Sequence, residues 1–372
     1  MNSILLLWLV SIFFVILLIK LLNIKKNTVI CFFIFMSIII FVVNINTSIK
    51  AVIEGCKLCL NSIIPTLFPF SVICNLLIQY DGILLFSKIL GPLFCKPLKL
   101  SKSCSFSLAA SFLCGYPLGA RYATDLYELK YINKQEYIRL LNIATNCGPI
   151  FIIGTIGYSF LNDLASGYLL LIANYLSVII MALITKKNES INSRKTLIEN
   201  KNNINFGIAL KTSIENALNT SLTVCGFILI FSIIISILNN NSINIFLLGT
   251  IEITKGAKLI SMSSFTYPIK LGLISFLCSF SGLCIILQSA SFFSKHNISI
   301  AKYTLLKFIQ GIISFLITFI ICTVYPKNIF TSNINTMYTY KLHILILLIP
   351  TIAIILIYLM WQITKKLFFH IP

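Results

Sequence analysis

Charge is what this sequence has least of. Only 10% of its 372 residues are charged, against roughly a quarter in a soluble domain, and only ten are Asp or Glu. Such a chain cannot coat itself with a water-facing surface, so a soluble enzyme, a nucleic-acid binder and a secreted disulfide scaffold are excluded. Its three histidines, His296, His343 and His370, lie far from the single C-x-x-C at Cys56 and Cys59, which leaves that pair without partners for a zinc site. There is no Walker loop, dinucleotide fingerprint, H-E-x-x-H or G-x-S-x-G, and no carboxylate pair or Ser/His/Asp set that spacing places together. The expectation is no cofactor, no metal and no enzymatic activity, with any ATP-driven step supplied by a separate subunit.

What the sequence does have is apolar length. Hydrophobic residues make up 58% of it and the mean hydropathy is +0.96. Stretches such as 4–22, Leu164–Ile184, 299–324 and 342–363 run apolar all round for the thickness of a bilayer, which specifies an all-α polytopic membrane protein. About eight spans are expected, at 4–22, 28–43, 58–80, 149–161 joined to the helix before it, 164–184, 216–238, 299–324 and 342–363. Shorter pieces at 83–94, 104–118, 243–260 and 268–292 read as half-helices or re-entrant hairpins, because irregular backbone survives at membrane depth only inside protein or around a cavity. Residues 1–22 lack an early basic charge and a small-residue cleavage site, so they read as a retained first span. Twelve scattered cysteines, several inside apolar runs, read as packing residues.

The net charge of +19 comes from Lys and Arg that flank spans, as at Lys20, Lys25 and Lys26. These residues set topology and meet anionic headgroups, so the bilayer is the expected partner and nucleic acid is not. Residues 185–206, rich in Lys, Asn and Ser, form a cytoplasmic linker. It divides the chain into an N-terminal two-span hairpin (1–49), a first half (50–184), a second half (207–325) and a C-terminal span with a basic tail (326–372). A weak internal repeat relates the halves: Gly115 and Gly282 lie 167 apart, and Ile132 with Ile298 and Tyr137 with Tyr303 lie 166 apart. Broken helices at matching places in two repeats point to a solute site near the midplane, in the manner of an inverted-repeat transporter.

Three segments carry the candidate residues. In the first, Gly115, Tyr116, Pro117 and Gly119 cannot continue an ordinary helix, and a helix resuming near Leu118 aims its positive end into the break. Arg121, in its first turn, either faces an anionic solute, snorkels to headgroups, or pairs with a carboxylate such as Glu252. In the second, Asn142 and Asn146 stand one helical turn apart before Gly148-Pro149, and are either satisfied by freed carbonyls or kept for a solute. Gly154 and Gly157 then allow close helix approach. In the third, Glu252 lies between apolar flanks with Lys255 three residues on, as a structural ion pair or as a coupling site for a proton or ion. Gln288 follows Gly282 by six residues, as Arg121 follows Gly115. A central pocket lined by Arg121, Asn146 and Gln288 is the expectation.

These same residues resemble the sporulation integral membrane proteins of the YlbJ type, which carry the nucleoside-recognition or Gate domain. The resemblance runs through IPTLFPFSVICNLL (64–77), LGPLFCKPLKL (90–100), CGYPLGARYATDL (114–126), TNCGPIFIIGTIG (145–157), GTIEITKGAKLIS (249–261) and FSGLCIILQS (280–289). Cys147 departs from it, since a serine-like residue is expected there. The resemblance implies a role in endospore formation in a Gram-positive spore former, in the mother-cell or forespore membrane. It also implies movement of a small polar or anionic solute; a scaffold for spore-envelope assembly is the alternative. A homo-oligomer or other sporulation membrane proteins are the open partner classes. The charge pattern makes one direct prediction: in a cysteine-free background, Lys195→Cys resists an impermeant thiol reagent added outside intact cells, and labelling there reverses the topology.

Overall fold

A bilayer offers no water to backbone N–H and C=O groups, so each must be satisfied within the chain, and helices do this locally. The computed structural model describes residues 26–95, 98–185, 205–239 and 245–324, and no strand occurs among them. The expected spans at 4–22 and 342–363 and most of the 185–206 linker lie outside the described residues. Four described helices are long and apolar enough to cross a membrane, or up to six if each of two bent pairs counts as one span. This is an integral membrane protein.

The chain opens with α1 (Lys26–Val43), bent 94° against α2 (Ile45–Leu58), and a π turn at Cys59–Ile63 leads into α3 (Ile64–Gln79). A second bend of 96°, at left-handed Asp81, starts α4 (Gly82–Ile89), followed by the single turn α5 (Gly91–Phe94). Next come two short helices, α6 (Ser105–Cys114) and α7 (Leu118–Glu128), then α8 (Lys134–Ile143). Residues 144–148 are unwound, and a π-helical segment, Ile150–Phe160, precedes α9 (Leu164–Ile184). The 149–161 span is thus separated from α8 by open backbone rather than joined to it.

The second part begins with α10 (Phe206–Asn239), which at about 1.5 Å per residue is longer than the bilayer is thick and packs against α2 and α3. Two short helices follow, α11 (Ile245–Ile251) and α12 (Ile253–Met262), then α13 (Tyr267–Phe280), α14 (Gly282–Phe293) and α15 (Ile300–Val324). Together α13 and α14 form the most enclosed of the crossing segments. The sequence reads 268–292 as a half-helix or re-entrant hairpin with a break near Gly282; Tyr267–His296 is instead long and apolar enough to cross a membrane, and its break lies at Ser281.

The same backbone devices recur in both halves. Gly115 and Gly282 have φ of +82° and +71°, and Lys130 and Asn297, each an offset of 167 from its counterpart, have φ of +60° and +54°. Asn133 and Ser299 then cap the next helix in the same way, accepting from the N–H three residues on, Glu136 and Lys302 respectively. Tyr137 and Tyr303, both buried, hydrogen-bond Thr124 and Thr145.

Lipid tails are as apolar as leucine, so helices here associate by close packing and internal hydrogen bonds. The contact of α13 with α15 shows both. A methyl group on Gly311 would lie 2.9 Å from the Phe276 ring, one on Gly272 would lie 2.9 Å from the Phe315 ring, and Ser275 and Ser314 hydroxyls meet at 2.6 Å between them. Gly157 likewise backs onto Gly167, whereas Gly154 has open space around it and takes no part in close approach. Gly311→Ala is therefore expected to lower the thermal stability of the detergent-purified protein by about 1–3 kcal/mol, while Gly154→Ala leaves it unchanged or raised.

Candidate functional site: two facing helix breaks

The first break is closed by the chain itself. A Cβ on Gly115 would lie 2.4 Å from the Gly148 nitrogen, and one on Gly119 only 1.6 Å from the Ala144 oxygen, so 115–119 packs backbone to backbone on unwound 144–148. The Tyr116 N–H donates to the Asn146 carbonyl at 2.7 Å, and the Ser107 hydroxyl donates to the Gly119 carbonyl at 2.9 Å. The peptide bond between Tyr116 and Pro117 is cis. The Ala144 carbonyl packs against Gly119 in the first turn of α7, the end that the sequence aims at a solute.

The second break rests on the α11–α12 junction. Ser281 and Gly282 both have positive φ, and a Cβ on Gly282 would be 3.4 Å from the Thr250 and Ile251 oxygens. Glu252 caps α12, accepting from the Thr254 and Lys255 N–H groups at 2.8 Å each. The expected Glu252–Lys255 ion pair is not formed, because the Lys255 ammonium turns 3.9 Å from Glu54 instead. A carboxylate at a helix N-terminus meets unpaired N–H groups and the positive dipole end, a better bargain than one flexible lysine.

The two breaks meet through Tyr116. Its half-buried side chain lies beside Cys147, Cys278 and Glu252, and the Cys147 and Cys278 thiols are neighbours. Cys147 therefore occupies a contact between the halves. Behind it lies a network of buried polar groups. Asn146 donates to the Ser111 hydroxyl at 3.2 Å and to the Ile143 carbonyl at 2.5 Å, and accepts from the Gln310 amide at 3.2 Å. Gln310 also donates to Ser177, and its oxygen accepts from the Lys307 ammonium at 2.9 Å. Lys307 is fully buried and donates to the Thr145 carbonyl as well. Among the described residues it has no salt-bridge partner. Ser279 joins the network through Ser177 and the Asn174 oxygen. Three buried polar atoms here make no hydrogen bond among the described residues: the Tyr116 hydroxyl, the Asn174 amide nitrogen and the Ser281 hydroxyl.

The expected pocket of Arg121, Asn146 and Gln288 does not appear as one hydrogen-bonded unit. Arg121 staples α7 to the first part of α10 and to α3, donating to the Asn216 carbonyl at 2.9 Å and to Asn75 at 3.4 Å, with Asp125 at 3.9 Å as its carboxylate rather than Glu252. Gln288 is buried but donates to Cys284 on its own helix. Asn142 and Asn146 share no helix face, since α8 ends at Ile143, and Asn142 donates to Ile138 while its oxygen has no partner. Pro149 stands at the head of the π segment. Lys307 and Gln310 were passed over because 299–324 reads as apolar all round. The signal was present: a lysine and a glutamine three residues apart inside a spanning helix are costly unless held.

Residues 60–148 match the Gate family, described as nucleoside recognition. That match takes in the first break and the unwound segment that closes on it. The chain is also similar to the sporulation integral membrane protein YlbJ of Bacillus subtilis (strain 168), 25% identical over 334 residues, which is 77% of this chain and 81% of the relative. Both findings carry the resemblance seen in the sequence. No solved structure matches the chain.

Arg121 generates a test. Arg121→Ala removes two hydrogen bonds between helices and the neighbour of Asp125, so membrane abundance falls along with activity, by an amount corresponding to about 1–3 kcal/mol. Arg121→Lys, with a charge but no fork, falls between it and wild type when both are quantified in membranes.

Proposed function

We propose that the protein moves or gates a small polar or anionic solute across a membrane of the sporulating cell. Two broken helices that face each other in the enclosed part of a membrane protein are the arrangement on which solute sites are built at the bilayer midplane. The observation that carries the reading is the set of buried polar groups left unpaired at this place, the Asn174 amide and the Ser281 and Tyr116 hydroxyls. A buried donor without a partner costs about 1–3 kcal/mol, and a solute that accepts from it recovers that cost. All three can donate, which suits a carbonyl or carboxylate oxygen. The similarity to a sporulation integral membrane protein supports the process, and the Gate match supports a transporter-like role. The mother-cell or forespore membrane is the proposed location.

The alternative, a membrane scaffold for spore-envelope assembly, makes a different prediction for the same variants. Ser281→Ala and Asn174→Ala remove solute donors without emptying the core, so a solute role predicts heat-resistant spore yield about tenfold lower at unchanged membrane abundance. A scaffold role predicts yield that follows abundance alone. Wild-type yield from both variants in a strain lacking the native protein would overturn the solute reading.

A further inference from the structure

Solute binding at Asn174 and Ser281 leaves the ammonium of Lys307 unused, though it is the most deeply buried charged group among the described residues. Its surroundings are those of a cation site. Helix α8 ends at Ile143, so the negative end of its dipole and its last carbonyls point at residues 144–146. Three of these carbonyls are answered by side chains: Leu141 by the Thr145 hydroxyl at 2.8 Å, Ile143 by the Asn146 amide at 2.5 Å, and Thr145 by Lys307. The second oxygen on Lys307 is fixed in orientation. The Gln310 amide nitrogen donates to Asn146 and Ser177, so its oxygen is turned to the ammonium and the amide cannot flip without losing both bonds.

Among the described residues no carboxylate forms a salt bridge with Lys307. The helices packed against α15 are α8, α9 and α13; Lys134 on α8 is exposed, and the other charged groups on or capping them are engaged elsewhere. Glu136 accepts from the Ser101 N–H, Arg139 donates to the Leu98, Lys99 and Ala182 carbonyls, Asp163 caps α9, and Lys270 donates to the Ser261 carbonyl. The titratable group nearest in the network is Tyr303, which donates to the Thr145 hydroxyl. Unwound carbonyls and the carbonyl end of a half-helix, all neutral oxygens, are the ligands by which broken membrane helices hold a monovalent metal ion.

We propose that Lys307 is a tethered monovalent cation: its ammonium fills the place at the end of α8 where a sodium or potassium ion would otherwise sit, and the protein needs no bound inorganic cation there. The assignment of the site stands apart from the transport reading. Only its corollary, that solute movement does not depend on Na⁺, rests on that reading.

The test uses thermal unfolding of the purified full-length protein in detergent. Wild type is expected to melt at the same temperature in NaCl, KCl and choline chloride of equal ionic strength. Lys307→Ala, which deletes a propylammonium group, melts at least about 3 °C lower in choline and is restored by n-propylammonium or by Na⁺, but not by n-propanol. Lys307→Met, which keeps the apolar bulk without the charge, covers the case in which the alanine variant does not fold. Its melting point falls if the cation matters. A wild-type protein stabilised by Na⁺ over choline, equal rescue by n-propanol, or a methionine variant as stable as wild type would each overturn the tethered cation. Because these readouts concern stability alone, they leave the spore-yield test of the solute role independent.

Discussion

Every backbone group that a helix break sets free inside a bilayer must find a partner there, and most of this structure follows from how the break at 115–119 finds its own. It packs against a second opening, 144–148, and the Tyr116 N–H finds the Asn146 carbonyl there instead of lipid. Close contact of this kind has no room for side chains. Gly115, Gly119 and Gly148 are glycine because the opposite strand of backbone lies where a Cβ would be. The carbonyls that remain after this closure are those at the end of α8, and the groups sent to meet them, Thr145, Asn146 and Lys307, define the polar centre.

The two halves share turns and caps at matching positions but solve this problem differently. In the first half the helix after the buried Tyr137 ends at Ile143 and opens; in the second, α15 runs unbroken past Tyr303 to Val324. The unbroken helix supplies from its side chains what the opened one lacks. Lys307 and Gln310 reach across to the open segment of the other half, so the halves complement each other at the centre. At the second break the partner is α11, and Glu252 serves as the cap that starts α12 beside it.

Arg121 shows why a charged residue near a break need not face a solute. It lies within reach of a carbonyl on α10, an amide on α3 and a carboxylate one turn away, and satisfying these groups holds three helices together. Guanidinium is suited to this because its donors point in fixed directions. Asn174, Ser281 and Tyr116 differ in that their donors are left unmet at the junction of the two breaks, and such groups call for an explanation that a satisfied polar residue does not.

The sequence by itself determined the class of molecule and the places where its helices stop. Apolar length and scarce charge require membrane helices, and Gly115, Pro117, Gly148-Pro149 and Gly282 stop them through steric effects that act within a few residues and need no tertiary context. Which polar groups meet was decided only by the tertiary structure. Asn142 and Asn146 looked like neighbours on one helix until the chain unwound between them, and Glu252 looked like the partner of Lys255 until the start of α12 offered it two N–H groups. Lys307 was hidden because hydropathy averages a lone lysine into its apolar surroundings. Its acceptor, the Thr145 carbonyl, lies 162 residues away and belongs to a backbone that every residue shares, so no side-chain pattern could announce it.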